Sequence, residues 1–287
     1  MTKLTQFREG AHAGAPPQSA SLDAVPGRVG YITRPATKPY RYTAAFTGGA
    51  PQLFAEDDPR PVPVINARPV ADRLSLDRQG IELWAHGTRV SDFYNDGEVE
   101  AVYYPEVEQL LKSVTGARRV VVFDHTRRSD GGAAKDGDRE AVRYVHNDYT
   151  DTSGRERVRT LLGREGLDHL KTGRIAQVNV WRPIRGPVVR APLGVIDAAS
   201  VASEDLIATD QIYPDRVGEI FHVAWSVGHR WLYVPRMTRD EVLLIKGWDS
   251  ATDGRARFTP HAAFDDPETP ADAPARESIE VRTLLVF

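Results

Sequence analysis

The stretch RESIEVRTLLVF, at Arg276–Phe287, has the alternating pattern of a β-strand. Successive side chains of a strand point to opposite faces, so Ile279 and Val281 share one apolar face. The opposite face is polar and consists of Arg276, Ser278, Glu280 and Arg282. The pattern predicts a strand that packs on the core with one face and presents charged groups on the other.

Five segments upstream of this stretch also have strand-like composition, and turns rich in Pro, Gly and Asp separate them. They are RIAQVNVWRPI (174–184), APLGVIDAASV (191–201), EIFHVAWSV (219–227), RWLYVPRM (230–237) and EVLLIKGWDS (241–250). Many short strands with few helices predict a mainly β fold with flanking helices, built on a double-stranded β-helix, or jelly-roll, core.

Two helices and a connecting loop are predicted before these strands. Residues 95–117 have apolar side chains at helical spacing, with Gly116 as a C-cap, and residues 152–173 form a second helical segment. The strand RRVVVFDHTRR, from Arg118, lies between them, and SDGGAAKDGDRE (129–140) is a polar loop.

The N-terminal region differs in composition from the rest of the chain. Residues 1–28 are rich in Gly, Ala, Pro and Ser, which predicts a loosely ordered arm. Short apolar stretches broken by Pro and Gly follow, from residue 29 to about 72, and these predict an N-terminal β-extension. We therefore expect residues 29–287 to form one jelly-roll domain.

The composition excludes several classes of function. The 287 residues include no cysteine, which rules out disulfides and thiolate chemistry and leaves His, Asp and Glu as metal ligands. A net charge of −3 and mixed charges give no sign of nucleic-acid binding. There is no signal-peptide apolar region and no membrane-spanning run. We expect a cytoplasmic protein with a small-molecule substrate and no nucleic-acid or membrane partner; the sequence leaves room for a homo-oligomer.

The segment RYVHNDYTD, at 143–151, contains a candidate metal-binding pair. His146 and Asp148 are two residues apart, so on a strand their side chains converge on one face. Many His-x-Asp tripeptides bind no metal. With a third ligand from a distant strand, the pair would form the two-histidine, one-carboxylate triad of non-haem iron(II) oxygenases.

Three histidines compete for the position of the third ligand. His261, in RFTPHAAFDDP, precedes the final strand and is the preferred candidate. His125 lies in an apolar strand and is better explained as a core histidine bonded to a neighbour. His229 lies in a turn between strands, where a substrate contact or a solvated side chain fits it.

An arginine on the strand after a distal histidine can grip a carboxylate with its planar guanidinium. Arg276 has this position, with Ser278 beside it, and Arg282 is its rival on the same face. A solvated strand edge with ordinary ion pairs is the alternative for both arginines. The order of His-x-Asp, later histidine and Arg-x-Ser favours the binding role.

The ordered set HND, TPHAAF and RESIEVR resembles the non-haem iron(II) and 2-oxoglutarate-dependent oxygenases. It is most similar to their hydroxylase/desaturase branch of secondary metabolism. That branch includes fungal meroterpenoid endoperoxidases, gibberellin desaturase-like proteins and the smaller component of cephamycin methoxylation. The likeness covers about residues 80–287 and includes DFYNDGEVEAVYYPEVEQLL and NVWRPI.

The resemblance implies Fe(II) as cofactor, with 2-oxoglutarate and O2 as cosubstrates. It makes His146, Asp148 and His261 the iron ligands, and Arg276 with Ser278 the cosubstrate clamp. The spacing from His261 to Arg276 is longer here than in many members, so Arg282 stays a rival for the clamp.

Other side chains are predicted to line the same pocket. Asn179 and Trp181 share a strand face, Asn179 as a cosubstrate contact and Trp181 as an apolar wall or a core residue. The remaining pocket candidates are Tyr144, His229 and Tyr104.

The resemblance implies a dioxygenase that hydroxylates, desaturates or otherwise oxidises a small-molecule natural product, with conversion of 2-oxoglutarate to succinate and CO2. A jelly-roll partner or binding subunit without its own catalysis is the alternative. A complete set of ligands argues against that alternative, because a protein without catalysis has no need of them.

Overall fold

The computed structural model describes residues 2–3, 23–130 and 139–287, which contain seventeen strands and four α-helices. None of these helices is long and apolar enough to cross a bilayer. The first strands are β1 (Thr2–Lys3), β2 (Ala24–Ile32), β3 (Tyr40–Tyr42), β4 (Gln52–Phe54), β5 (Asp57–Asn66), β6 (Ile81–Ala85), β7 (Arg119–Asp130), β8 (Arg139–Glu140) and β9 (His146–Asn147). The others are β10 (Ile175–Arg185), β11 (Leu193–Ile196), β12 (Leu206–Ile212), β13 (Val217–Val223), β14 (Trp231–Tyr233), β15 (Glu241–Asp249), β16 (His261–Ala263) and β17 (Arg276–Val286). The helices are α1 (Ala44–Thr47), α2 (Asp96–Glu98), α3 (Tyr104–Thr115) and α4 (Asp151–His169), with a π-helical segment at Val99–Tyr103 and 3-10 turns at Arg68–Arg73, Ala198–Ser200 and Ser203–Asp205.

The strands form two sheets that pack face to face. The seven-stranded sheet has the order β1-β6-β15-β10-β17-β7-β8, and the ten-stranded sheet has the order β2-β5-β14-β11-β16-β9-β13-β12-β3-β4. Trp181 and Leu243 of the first sheet pack against Val195 and Leu232 of the second. This arrangement confirms the predicted mainly β, jelly-roll fold.

Helix α3 covers the outer face of the seven-stranded sheet. Leu110 and Leu111 of α3 pack on Val178, Val180 and Val281 of the two central strands. These strands alternate, so their other residues point to the inner face. The predicted helix and its C-cap are confirmed, since Gly116 has a φ of 73°, in the left-handed region.

Helix α4 closes one end of the inner core. Thr150 caps it by accepting a hydrogen bond from the Ser153 amide, and the Ser153 side chain accepts one in return. Gly154 lies directly against the ring of Trp248, which is fully buried. The absence of a side chain at Gly154 allows this close approach of helix and sheet.

Two predicted boundaries were wrong. Residues 24–28, assigned to the arm, belong to β2, where Pro26 is opposite Pro63 of β5. Strand β2 is an edge strand, which tolerates proline because its outer backbone groups need no partner. The predicted loop at 129–140 is wrong at both ends, since Ser129 and Asp130 belong to β7, and Arg139 and Glu140 form β8, which pairs with β7. Residues 1, 4–22 and 131–138 of these two predictions lie outside the described residues.

Strand β12 was missed, and the strand predicted at 191–201 is only four residues long. Asp197 ends that strand because its carboxylate accepts a hydrogen bond from the Ala199 amide and starts a 3-10 turn. The alanine-rich sequence of this turn gave no sign of the cap, because the cap needs only one aspartate.

Gly154→Ala should destabilise the protein, although alanine is the better helix former. An added Cβ would lie 2.5 Å from a Trp248 ring carbon, and overpacking of this kind costs about 1–3 kcal/mol. The free energy of unfolding in urea measures the effect. Thr160→Ala, at an exposed position of the same helix, is the control and should change stability by less than about 0.7 kcal/mol. A stabilised Gly154→Ala variant would contradict the packing.

Candidate metal centre

His146, Asp148 and His261 converge on one point between the sheets. His146 in β9 pairs directly with His261 in β16, and their ring centroids are 4.7 Å apart. Asp148 follows β9, with its Oδ1 atom 3.7 Å from Nε2 of His146. One ligand atom from each residue lies within 4.8 Å of the others. The sequence-predicted pair and the preferred third histidine are therefore brought together.

Both histidines are held in the same orientation by the backbone. Nδ1 of His146 donates to the carbonyl of Tyr144 at 2.9 Å, and Nδ1 of His261 donates to the carbonyl of Thr259 at 3.0 Å. A carbonyl only accepts hydrogen bonds, so the ring proton lies on Nδ1. The lone pair of each Nε2 atom is thereby left for a metal.

Asp148 is oriented by a neighbouring amide. Nδ2 of Asn179 donates to Oδ2 of Asp148 at 2.7 Å and to Oε1 of Glu280 at 2.9 Å. The other carboxylate oxygen, Oδ1, is the one that faces His146. Asn179 thus fixes the side chain of Asp148 from β10, as a second layer of contacts around a metal does.

The electrostatics favour the protonation states that metal binding needs. Burial, reinforced by the neighbouring His261, lowers the pKa of His146 to about 3. Burial alone would raise the pKa of Asp148, but Arg282 and the two histidines outweigh it, so the pKa lies below its usual value. The electrostatics therefore favour a neutral His146 and an ionised Asp148.

This donor set fits iron(II). Two imidazole nitrogens and one carboxylate oxygen on one side of a metal are the facial arrangement of non-haem iron oxygenases, which leaves the other positions open. The three groups lie close together and are largely buried, and the two imidazoles are fixed by their Nδ1 hydrogen bonds.

The two candidate clamp arginines have different surroundings. Arg282 donates to Oδ1 of Asp124 at 2.7 Å and to the hydroxyl of Thr126 at 2.9 Å. Arg276 is 3% exposed and contacts no carboxylate of the described chain; it donates to the Ala191 carbonyl at 2.6 Å, and its Nε has no partner. Burial lowers the pKa of Arg276 to about 10, so it is still a cation at neutral pH.

The residues around Arg276 complete this part of the pocket. The guanidinium carbon of Arg276 is 5.9 Å from the ring centroid of Trp181, which is itself packed in the core between the sheets. Ser278 is buried and shares the face of Arg276 along β17. The alternation predicted for this strand is thus present, with Ile279 and Val281 buried on the other face under α3.

Tyr104 and His125 lie away from the candidate centre. The Tyr104 hydroxyl bonds Nδ1 of His125 at 2.8 Å, and the side chain of Tyr104 packs with the cluster under α3. His125 is adjacent in β7 to Thr126, which contacts the inner-face Arg282, so His125 points outward. We therefore do not retain Tyr104 as a pocket residue, and His125 has the neighbour-bonded role expected for it.

His229 is neither solvated nor free to contact a substrate. Nδ1 of His229 bonds the Tyr31 hydroxyl at 2.9 Å, and Nε2 bonds Oδ2 of Asp205 at 3.0 Å. Its ring stacks on Tyr31, and its side chain is 1% exposed. This environment is structural, and we do not retain His229 as a pocket residue either. The sequence around His229 predicts a turn but not these partners, because Tyr31 is 198 residues away.

Tyr144 lies closer to the centre. Its ring is edge-on to His222 at 6.2 Å, and its hydroxyl donates to Asp57 at 2.7 Å. His222 pairs with His146 across β13 and β9, and it was not singled out in the sequence. The segment EIFHVAWSV predicted a strand, but only the register shows that His222 is beside His146.

Asn147, the middle residue of the His-x-Asp segment, was also missed. Its side-chain amide donates to the carbonyls of Tyr149 and Gly247 at 2.6 and 2.8 Å. The side-chain oxygen of Asn147, Oδ1, accepts a hydrogen bond from the Thr259 amide at 2.9 Å. Asn147 therefore joins the backbone after His146 to the segment that precedes His261.

Comparisons with known proteins agree with this geometry. Residues 29–287 match a family described as an oxidoreductase/YMDC permease-like domain. The alpha-ketoglutarate-dependent dioxygenase phiK, from a fungal species, is 38% identical over 225 residues, which cover 75% of this chain and 80% of phiK. The hydroxylase/desaturase efuI of Hormonema carpetanum is 34% identical over 252 residues, 79% of this chain and 84% of efuI. A solved structure, the iron and alpha-ketoglutarate-dependent endoperoxidase NvfI, superimposes with a TM-score of 0.82 over 92% of this chain and 98% of NvfI, at 28% identity.

Asn147→Ala should weaken metal binding without removing a ligand. Each buried backbone group left without a partner costs about 1–3 kcal/mol, and loss of a group that orients ligands lowers metal affinity about 10- to 100-fold. Titration with Mn(II) and urea unfolding measure the two effects. Asn95→Ala removes an exposed helix cap and should cost about 1 kcal/mol while Mn(II) affinity is unchanged. Equal Mn(II) affinity in the two variants would contradict the role of Asn147.

Proposed function

The chain belongs to the Fe(II)/2-oxoglutarate-dependent dioxygenases, among the hydroxylases and desaturases, and we propose that it oxidises a small-molecule natural product at iron held by His146, Asp148 and His261. Membership confirms the resemblance seen in the sequence. The observation that carries the ligand assignment is the convergence of two imidazoles, each fixed through Nδ1, with an ionised carboxylate.

Iron(II), 2-oxoglutarate and dioxygen supply the oxidising chemistry when bound, with succinate and carbon dioxide as the products of the cosubstrate. The chain's own residues hold and orient the groups. His146 and His261 present Nε2, and Asn179 holds Asp148 so that Oδ1 faces the histidines. Glu280 shares the Asn179 amide, and its burial next to Asp148 raises its pKa.

Arg276 is the proposed clamp for the distal carboxylate of 2-oxoglutarate, assisted by Ser278. A buried guanidinium without a carboxylate in the described chain is costly unless a ligand supplies the anion. Arg282 already contacts Asp124, so its role in our proposal is to favour the ionised form of Asp148. Trp181, packed between the sheets beside Arg276, keeps water from this part of the pocket.

The relatives are named for different oxidations: a hydroxylase/desaturase in efuI and an endoperoxidase in NvfI. We propose an oxidation of the same kind here, on a natural product of low molecular weight. The cytoplasmic location and the homo-oligomer that the sequence allows stay predictions. The alternative of a binding subunit without catalysis is disfavoured by the intact donor set.

Arg276→Gln should weaken 2-oxoglutarate binding far more than Arg282→Gln. Losing a charge-assisted hydrogen bond costs about 1.5–3 kcal/mol, which corresponds to about a 10- to 100-fold higher Kd. Calorimetric titration of the Mn(II)-loaded protein with 2-oxoglutarate measures it. Arg282→Gln should leave 2-oxoglutarate binding nearly unchanged, because Arg282 is already paired with Asp124.

The reverse pattern, with the larger loss of 2-oxoglutarate affinity in Arg282→Gln, would move the clamp to Arg282.

Incubation of the Fe(II)-loaded wild-type protein with 2-oxoglutarate in air tests the activity itself. Succinate should form, and an absence of succinate formation would contradict the proposed function.

A further inference from the structure

Three arginines on the strands around the candidate metal centre have no carboxylate partner among the described residues. They are Arg41 in β3, Arg128 in β7 and Arg139 in β8, and we call them the arginine cluster. The proposed function does not use any of them. Their positions follow from strand register.

Arg41 shares the inner face of the ten-stranded sheet with the metal-centre histidines. It pairs with Gln211, which pairs with Gly218 of β13. Gly218 is four residues before His222, so the two lie on one face, and His222 pairs with His146. The half-buried side chain of Arg41 therefore extends from the row of residues that carries the triad.

Arg128 and Arg139 lie on the facing sheet. Arg128 pairs with Ser278 on one side and with Arg139 on the other. Ser278 is two residues before Glu280, which contacts Asn179 on the inner face. Like charges directly opposite each other on neighbouring strands are destabilising, so the pairing of Arg128 with Arg139 requires an explanation.

Other arginines nearby do have carboxylate partners, so the lack of such partners among the described residues is particular to the arginine cluster. Arg143 contacts two carboxylates and Arg282 contacts one. Among the described residues, no carboxylate pairs with a member of the arginine cluster, and Arg128 has only the Glu140 carbonyl, at 3.1 Å. Arginines on strands beside a candidate metal centre are suited to a bound anion.

The charges of the cluster act on one another. Burial lowers the pKa of Arg41, and the positive charge of Arg139 lowers it further. Burial also lowers the pKa of Arg128, where Arg282 and Arg139 act in the same direction against Glu280 and Asp148. Arg41 and Arg128, on different sheets, therefore both lie within electrostatic range of the exposed Arg139, and Arg128 also lies within range of the ligand Asp148.

We propose that the substrate is an acid whose anionic group binds to Arg41, Arg128 and Arg139. This inference rests on the proposed function, because it places that group in the same pocket as the metal centre. The substrate's anion would relieve the repulsion within the cluster and fix the molecule against the metal centre. A carboxylate and a phosphate share this chemistry, and the test distinguishes them.

The test uses three probes with the same ring: benzoate, phenylphosphonate and neutral benzamide. The protein is loaded with Mn(II) and saturating 2-oxoglutarate, so that Arg276 is occupied, and each probe is titrated by calorimetry. At least one anion should bind about tenfold or more tightly than benzamide, the ratio that one charge-assisted hydrogen bond provides. Tighter benzoate indicates a carboxylate substrate, and tighter phenylphosphonate a phosphate-bearing one.

The variants Arg41→Gln and Arg139→Gln, on different strands, should each raise the Kd of the preferred anion about tenfold. Arg143→Gln, a nearby arginine with its own carboxylates, is the matched control and should bind the anion like the wild type. Anions that bind no better than benzamide, or variants that bind them like Arg143→Gln, would overturn the inference.

Failure of this inference can be told apart from failure of the proposed function. Binding of 2-oxoglutarate to the Mn(II)-loaded wild type is measured first in the same sample. A protein that does not bind 2-oxoglutarate counts against the proposed function, whereas one that binds it but does not prefer the anions counts only against the arginine cluster as an anion site.

Discussion

The pairing of His146 with His261 across β9 and β16 is the constraint on which the site depends. Each ring donates its Nδ1 proton to the carbonyl two residues earlier in its own chain segment. The same local geometry on two neighbouring strands therefore turns both Nε2 atoms to one point. Asn147 keeps the two segments together through hydrogen bonds to backbone groups, so a small shift of either strand would separate the ligands.

Side chains alternate between the two faces of the central strands of the seven-stranded sheet. One face packs in the core, and the other carries the residues of the site. On β10, Val178 and Val180 pack under α3, whereas Asn179 faces inward and holds Asp148. Strand β17 repeats this division, with Ile279 under the helix and the arginines inward. A core packed on one face makes the inner face rigid, and a rigid support is what preorganised ligands require.

Much of this could be predicted from the sequence, because periodicity reports which residues share a face. It placed Arg276 and Ser278 together and paired His146 with Asp148, and the ordered motifs added His261. Register and long-range contacts could not be read in the same way. The position of His222 beside His146 depends on the pairing of β9 with β13, the bond of His229 to Tyr31 joins residues 198 positions apart, and the pairing of Arg128 with Arg139 depends on the register of β7 and β8.

The most direct test of the account is an anaerobic titration of the Fe(II)-loaded protein with 2-oxoglutarate, followed by visible absorption. Chelation of the iron by 2-oxoglutarate gives a metal-to-ligand charge-transfer band, which should saturate at one equivalent in the wild type. The band should be absent in Asp148→Ala, which lacks one of the three ligands. A band of equal intensity in both proteins would contradict the assignment of His146, Asp148 and His261 as the iron site.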